Sequence, residues 1–527
     1  MSRPAARTLA GVLDEVTTAR PGQPAVFHLG TEISYAELRA DARRAARALL
    51  ALGVRRGDRV GVLLGNQPEW LVVCFAAAYV GATLVPLNTW HKRDELAWTL
   101  RHARVSVLIA AASYLKQDYR TLLGGIAGDL PDLRAVAFVG APAPGALSWS
   151  ELLRSGRSVS EASLTAAAAA VSPEDHAFVL YTSGSTAEPK GVLLRHRGVI
   201  ENGYEIGARR RFVPEDRVWL GSPLFYGLGA TNALPAALTH GAALVLQDHF
   251  DAGRAIAAIA AARATVWYGT GNMARAILDH PSYSRRRLAT LEKGNAGTVA
   301  EYKRLTLVEM GISRATPAYG LTESYGQCTG GLPDDPLEVK LHTSGTPLPG
   351  FQLQIVDPRT RAPLQTGETG LVLLRGRTAD GYLDNPVETA QAMLADGSFD
   401  TGDLGRLDPA GRFVFHSRLK EVIKSGGIGV SPVEVEQLLA RHPDVADAYV
   451  VGVPHPVRGE LVVAFVVARS PLSESGLRDY VREHAASFKV PHHILFRAEE
   501  QLPRLASGKV AKHLLQEAAL AELGVNR

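Results

Sequence analysis

Thr182, Ser183, Ser185 and Thr186 stand with Gly184 just ahead of Lys190, in the segment Tyr181-Thr-Ser-Gly-Ser-Thr-Ala-Glu-Pro-Lys-Gly191. Hydroxyls and glycine-freed backbone N–H groups in one loop, with an ammonium beside them, suit phosphate oxygens, which take several donors and a counter-charge. The loop is not a P-loop of the Gly-x-x-x-x-Gly-Lys-Ser/Thr kind, because Pro189 precedes Lys190 and Gly191 follows it. A polar turn between a strand and a helix has the same composition, so the segment alone leaves both readings open.

The elements around the loop read as an α/β sheet. Ala177-Phe-Val-Leu-Tyr, which leads into it, is a buried-strand pattern. Earlier, Arg59-Val-Gly-Val-Leu-Leu reads as a strand, Pro68 to Tyr79 as a helix, and Thr83-Leu-Val-Pro as a strand. Glu95 to Arg101 then reads as a helix and Val105 to Ala110 as a strand. Strand and helix in alternation predict a mostly parallel sheet. The Ser/Ala-rich stretch 155–175 reads as a surface connection. A strand-rich section begins at Gly367 and includes a hairpin about Pro409-Ala-Gly. After Arg418 the pattern is helix (Glu434 to Arg441), strand (Val445 to Val453), strand (Glu460 to Ala468) and helix (Ser473 to Phe488). The expected fold class is α/β, with a large N-terminal domain of mixed α/β sheets plus a β-rich subdomain over residues 1–418. A small α+β C-terminal domain of ordinary domain size follows over 419–527.

Composition narrows the function. Of 527 residues, 46% are hydrophobic and 21% charged, which excludes a disordered or collagen-like chain. Lys+Arg minus Asp+Glu is 57 − 53 = +4, too small an excess to point to nucleic acid. Two cysteines, Cys74 and Cys328, build neither a disulfide framework nor a four-cysteine zinc site, so a cytoplasmic protein is expected. Asp14 and Glu15 break the N-terminal apolar run too early for a signal peptide. The longest apolar run, Leu71 to Leu87, is interrupted by Gly81 and Pro86 and falls short of the roughly 20 residues of a spanning helix.

The loop resembles the signature of the adenylate-forming superfamily, which contains acyl- and aryl-CoA ligases, peptide-synthetase adenylation domains and luciferases. Four further motifs follow in that family's order: Tyr319-Gly-Leu-Thr-Glu323, Thr401-Gly-Asp403, Arg418-Leu-Lys-Glu-Val-Ile-Lys-Ser-Gly-Gly427 and Pro503-Arg-Leu-Ala-Ser-Gly-Lys509. The resemblance implies activation of a carboxylate with ATP and Mg2+, release of pyrophosphate, and transfer of the acyl group to coenzyme A after a turn of a mobile C-terminal domain.

It also implies residue roles. Thr182, Ser183, Gly184, Ser185, Thr186 and Lys190 would hold the β- and γ-phosphates, Thr322 would meet the α-phosphate, and Glu323 would bind Mg2+, a hard ion that keeps most of its waters. Tyr319 would pack on adenine, with Gly294-Asn295-Ala296 as the other wall, and Asp403 and Arg418 would bind the ribose hydroxyls. Lys509 would bridge the carboxylate and the α-phosphate. Lys420 occupies the hinge position. Lys424, Ser425, Gly426 and Gly427 would line the path of the pantetheine arm, where a glycine leaves room for it.

The sequence departs from the family pattern at several positions. Ala187 stands where glycine is usual, Leu505 where threonine is common, and Tyr226 at a gate position that often carries histidine. Asn295 and Gly297 depart from the usual Gly-Gly-Ala-Pro. The family's geometry places the acyl group near Tyr226, Gly229, Ala230, Trp267, Gly269, Gly297 and Leu321, which are uncharged and mostly small. A hydrophobic acid of cyclic, aryl or otherwise bulky shape follows. Gly269-Thr-Gly-Asn-Met-Ala274 reads as a strand-to-helix turn rather than a dinucleotide fingerprint. Arg209-Arg-Arg and Arg285-Arg-Arg read as solvated surface charge. The expected function is an ATP-dependent acid–CoA ligase. The alternatives are an acyl-adenylate synthetase that loads a carrier protein or another acceptor, and a non-catalytic nucleotide-binding regulator.

Overall fold

A computed structural model describes residues 3–182, 189–298, 300–419, 423–430, 432–503 and 510–525. The chain divides into two compact units. The larger takes Met1–Thr89, Ala97–Tyr181 and Gly191–Ser417, and the smaller is built on Arg418–Arg527 together with Trp90–Leu96 and Thr182–Lys190.

Three main sheets form the larger unit. The first runs from edge to edge as Lys190–Arg195, His176–Thr182, Thr83–Pro86, Arg59–Leu63, Val107–Ala111, Ala135–Val139 and Leu147–Ser148. From His176–Thr182 to Leu147–Ser148 its strands pair in parallel, and helix Pro68–Val80 is buried from Trp70 to Val80. That is why the 71–87 run is apolar without a period. A parallel strand and the helix that crosses to it are both covered on every side. The second sheet runs Thr346–Pro347, Thr329–Gly330, Thr316–Tyr319, Lys293–Gly297, Val266–Tyr268, Arg217–Leu220, Ala243–Leu246, Pro24–His28 and Thr31–Ser34. It is parallel in the middle and antiparallel at both edges. The third, Phe351–Val356, Gly370–Gly376, Phe399–Leu407 and Phe413–Arg418, is the expected strand-rich section. Its predicted hairpin is held by Asp408, whose carboxylate accepts the N–H groups of Ala410 and Arg412, each at 2.9 Å.

In the smaller unit the sheet is buried on both faces. Val450, Val462, Ala464 and Val466 pack with Val435 and Leu439 of helix Pro432–Ala440 and Leu477 and Val481 of helix Glu474–His484. The alternate residues Val451, Val453, Val463 and Phe465 pack with Leu515 and Ala519 of helix Lys512–Glu522. Side chains alternate faces along a strand, so one strand serves two layers of helix.

The structure differs from the sequence reading at three places. The 155–175 stretch lies on the surface but contains the helix Glu161–Ala169, capped by the Ser160 hydroxyl on the Ser163 N–H at 3.0 Å. Its alanines favour helix more than its serines favour a turn. The last long helix of the predicted set stops at His484, because Ala485 is extended. Arg209 and Arg210 are not solvated: Arg209 donates to the carbonyls of Gly330, Thr346 and Pro347, and Arg210 is 0% exposed. Only Arg211 of the triplet keeps a surface ion pair, with Asp334 at 2.5 Å. Among the described residues no helix is long and apolar enough to cross a membrane.

Candidate active site

Tyr319 ends the strand Thr316–Tyr319, and Asp403 lies within the strand Phe399–Leu407. Both are buried, and the Tyr319 hydroxyl donates to Asp403 Oδ2 at 2.7 Å. The ring rests against Phe413 at 4.5 Å and Phe415 at 6.0 Å between centroids. Burial, and then the Asp403 charge, push the tyrosine pKa well above its ordinary value, so it remains a donor at any working pH. Tyr319→Phe takes one donor from a buried carboxylate. The expected loss is about 1–3 kcal/mol of stability with a raised KM for ATP. Thermal melting alongside ATP titration checks it; an unchanged melt and KM would mean that the bond has no part in holding the site.

Beside Tyr319 runs the strand Lys293–Gly297, paired with Thr316–Tyr319 on one side and Val266–Tyr268 on the other. Gly294 sits at φ +140°, and a Cβ there would lie 2.1 Å from the Trp267 carbonyl oxygen, so only glycine fits. The Asn295 carboxamide accepts from the Gly297 N–H at 3.3 Å, and Thr298 Oγ1 donates to the Ala318 carbonyl at 2.6 Å. Ala296 is buried, whereas Asn295 and Gly297 are half-buried.

The predicted acyl residues divide into two groups. Trp267 is wholly buried and stacks on Trp219 at 4.7 Å between centroids. Its ring would lie 2.2 Å from a Cβ on Gly269, so it backs that glycine from the core. Gly229 and Ala230 are buried in the wide π-helical turn Leu228–Ala233, and Gly269 opens the predicted strand-to-helix turn. Tyr226, Gly297 and Leu321 are half-buried. The Tyr226 hydroxyl accepts from Asn88 Nδ2 at 3.3 Å, a partner that no motif announced.

Thr322 and Glu323 occupy the short helical turn Thr322–Ser324. Ser324 closes it, accepting the Leu321 N–H at 2.9 Å and donating to the Leu321 carbonyl at 3.0 Å. The Glu323 Oε1 accepts from the Tyr382 hydroxyl at 2.9 Å, and its backbone carbonyl from the Ala379 N–H at 2.7 Å. Asn202, on helix His196–Arg209 and 0% exposed, donates from Nδ2 to the carbonyls of Ser324, Tyr325 and Gln327 at 3.1, 3.0 and 2.8 Å. Sequence reasoning missed Asn202 and Tyr382, since neither falls in a motif. Among the described residues no group of three or more His, Cys, Asp or Glu could hold a metal ion. One half-buried carboxylate fits Mg2+ that arrives with ATP and draws its other ligands from phosphate and water.

Thr182 ends the strand His176–Thr182, and Lys190 opens Lys190–Arg195. Ser183, Gly184, Ser185, Thr186, Lys420 and Lys509 lie outside the described residues, as does the side chain of Arg418. In the smaller unit Lys424 is exposed and Ser425 buried. Gly426 (φ +66°) and Gly427 (φ +80°) form a two-residue hairpin turn between Ile423–Ser425 and Ile428–Val430. Positive φ at both positions is a second reason for glycine there. Cys74 and Cys328 are buried, and burial pushes both thiols up, so neither is a nucleophile.

The AMP-binding enzyme family model matches residues 13–383, and its C-terminal domain model matches 434–509. The chain belongs to the AMP-binding enzyme family. It is 38% identical over 518 residues to the 3-[(3aS,4S,7aS)-7a-methyl-1,5-dioxo-octahydro-1H-inden-4-yl]propanoyl:CoA ligase of Mycobacterium tuberculosis, covering 97% of this chain and 99% of that one. It is 30% identical to a mitochondrial medium-chain acyl-CoA ligase of Rattus norvegicus, covering 97% and 87%. Among solved structures it is similar to an amide bond synthetase from Marinactinospora thermotolerans, with TM-score 0.81, 26% identity, and 96% and 99% coverage. An anthranilate CoA ligase in complex with anthranoyl-AMP gives TM-score 0.73 and 28% identity, with 99% of each chain covered. This AMP-binding enzyme is an ATP-dependent acid–CoA ligase, and its mixed α/β fold with two units is the one expected.

Proposed function

We propose that the enzyme activates a bulky cyclic or aryl acid as its adenylate and then passes the acyl group to the CoA thiol. The nucleotide half rests on one observation above the others. A buried Tyr319–Asp403 hydrogen bond fixes, side by side, an aromatic face for adenine and a carboxylate for ribose. Gly294 brings the facing strand's backbone close, and Arg418 donates to the same hydroxyls. Thr182, Ser183, Gly184, Ser185, Thr186 and Lys190 hold the β- and γ-phosphates. Thr322 donates to the α-phosphate. Glu323, steadied by Tyr382, would hold Mg2+, which would neutralise phosphate charge. A carboxylate oxygen of the acid attacks the α-phosphorus, the bond to the β-phosphate oxygen breaks, and pyrophosphate leaves. Lys509 holds the two anionic groups together during this step. With the smaller unit turned about Lys420, the CoA thiol enters past Lys424, Ser425, Gly426 and Gly427. The sulfur attacks the carbonyl carbon, the thiol proton goes to solvent, and AMP leaves with the bonding pair.

The acid class rests on the small, uncharged residues Gly229, Ala230, Gly269 and Gly297, which leave room for a ring. It also rests on the likeness to a ligase named for a methyl-indane-dione propanoate, at 38% identity. A reducing cytosol suits the two buried free cysteines. A second reading, transfer to an amine, draws on the likeness to the amide bond synthetase; a carrier-protein thiol would take the acyl group by the same step as CoA. Steady-state kinetics on a bicyclic propanoic acid, an aryl acid and a medium-chain fatty acid, each with CoA, test the substrate class. One of the ring acids is expected to exceed the fatty acid in kcat/KM by about 10-fold or more. A fatty acid at the head of the series would overturn that assignment.

A further inference from the structure

Arg210 is the middle arginine of a basic triplet, yet it is wholly enclosed in the larger unit. A guanidinium has five N–H donors and no acceptor. All five are matched here. Nε donates to Thr316 Oγ1 at 3.2 Å, Nη1 to Asn232 Oδ1 at 2.9 Å and to the Tyr268 hydroxyl, and Nη2 to Gln327 Oε1 at 2.9 Å and Asn295 Oδ1 at 3.4 Å. None of these partners is a carboxylate. A buried cation without a counter-ion is costly, and a plain structural role would be served better by an apolar side chain.

The partners are distributed in a way that bears on the acid. The predicted acyl residues lie in four stretches of chain, about Tyr226 to Ala230, Trp267 to Gly269, Gly297 and Leu321, and Arg210 contacts a residue in or near each: Asn232, Tyr268, Asn295, which also borders the predicted adenine wall, and Gln327. Because the guanidinium only donates, every carboxamide that faces it must present oxygen. This fixes the amide orientations without appeal to a chosen flip. Asn295 is the informative member. Its Oδ1 is turned inward by two donors, Arg210 Nη2 at 3.4 Å and the Gly297 N–H at 3.3 Å. Its Nδ2 has no acceptor among the described residues, and the side chain is half-buried rather than sealed. The other two amides lie inside the protein: Asn232 Nδ2 donates to Gln327 Oε1 at 3.2 Å, while Gln327 Nε2 is sealed from solvent with no partner among the described residues. Of the two amide nitrogens left without an acceptor among the described residues, only Asn295 Nδ2 belongs to a side chain that is not sealed, beside residues that are uncharged and mostly small.

We propose that Arg210 is a positioning residue that sets Asn295 as a hydrogen-bond donor to an oxygen on the ring of the acid. Asn295 thereby makes the enzyme select a keto-, hydroxy- or ether-bearing cyclic acid over its hydrocarbon counterpart. The proposal rests on the acid-activation reading above and specifies the substrate class of that same site. A site that hydrogen-bonds a substrate oxygen rejects the analogue that lacks it, because its own donor is left unpaired.

The test compares a 3-(oxocycloalkyl)propanoic acid with the matching 3-cycloalkylpropanoic acid, reading kcat/KM for thioester formation with CoA. The full-length wild-type protein is set beside Asn295→Leu, Arg210→Met and Arg210→Lys. The ratio between the two acids is taken within each variant, so a general loss of activity or of folded protein cancels. Wild type is expected to favour the oxo acid by about 10- to 100-fold. The ratio should fall close to one in Asn295→Leu and in Arg210→Met, and to an intermediate value in Arg210→Lys, which keeps the charge with fewer donors. If Arg210→Met does not fold, Asn295→Leu carries the test. A wild-type ratio near one overturns the proposal. So does an unchanged ratio in Asn295→Leu accompanied by a raised KM for ATP with both acids, which would assign the amide to adenine instead. Thioester from neither acid in wild type would overturn the acid–CoA ligase reading itself along with the proposal.

Discussion

Lys509→Ala lowers acid-dependent pyrophosphate release by about three orders of magnitude, with ATP binding retained. The reasoning is electrostatic. The first half-reaction brings a carboxylate against an α-phosphate, two anions that repel in a site from which water is being excluded. An ammonium shared by their oxygens offsets that repulsion where charge concentrates. Removal of one such donor from an oxyanion typically costs about 2.7–4 kcal/mol. ATP is held by other groups, so its binding, read by calorimetry or nucleotide-displacement fluorescence, persists. Acyl-AMP supplied from outside should still be converted to thioester, since that half-reaction does not require the lysine at the phosphate. Pyrophosphate release at the wild-type rate would remove Lys509 from the chemistry.

Asn202→Ala is expected to reduce kcat/KM about 100-fold although Asn202 touches no reacting group. One buried amide nitrogen serves the carbonyls of Ser324, Tyr325 and Gln327, while Arg377 Nη1 donates to its oxygen at 3.2 Å. These contacts hold the segment that follows Thr322 and Glu323. Alanine leaves buried carbonyls short of a donor, at a cost of about 1–3 kcal/mol. It also frees a turn whose placement sets the distance from Thr322 to the α-phosphate. The measurement is a melting curve with full kinetics. The Mg2+ concentration for half-maximal rate should rise as well, because Glu323 moves with the turn. A destabilised variant with unchanged kcat/KM and Mg2+ requirement would mean that Asn202 serves packing alone.

The site is legible in the sequence where chemistry is local. Tyr319 and Thr322-Glu323 share one short segment, and Asp403 lies in another. Each is picked out because its short segment resembles a family motif, whose residues all lie within a few positions. The groups that hold them are not legible. Asn202 acts on a turn more than 120 positions away in the chain, with separations of 122, 123 and 125. No local period distinguishes such an amide from a surface one. Arg210 shows the limit from the other side. A basic triplet normally lies in solvent, and only the tertiary contacts of Asn232, Tyr268, Asn295 and Gln327 reverse that expectation. In the fold, the apolar strands of the parallel sheets are readable from their unbroken hydrophobicity. The Ser/Ala stretch reads as a connection because serine marks turns and helix caps alike, and its alanines decide for a helix.

The most direct measurement incubates the purified protein with ATP, Mg2+, CoA and a cyclic carboxylic acid and follows all products by mass. The expected result is acyl-CoA, AMP and pyrophosphate in equal amounts, with acyl-AMP accumulating when CoA is left out. Formation of ADP and phosphate, or an acyl-AMP that CoA does not consume, would contradict the assignment.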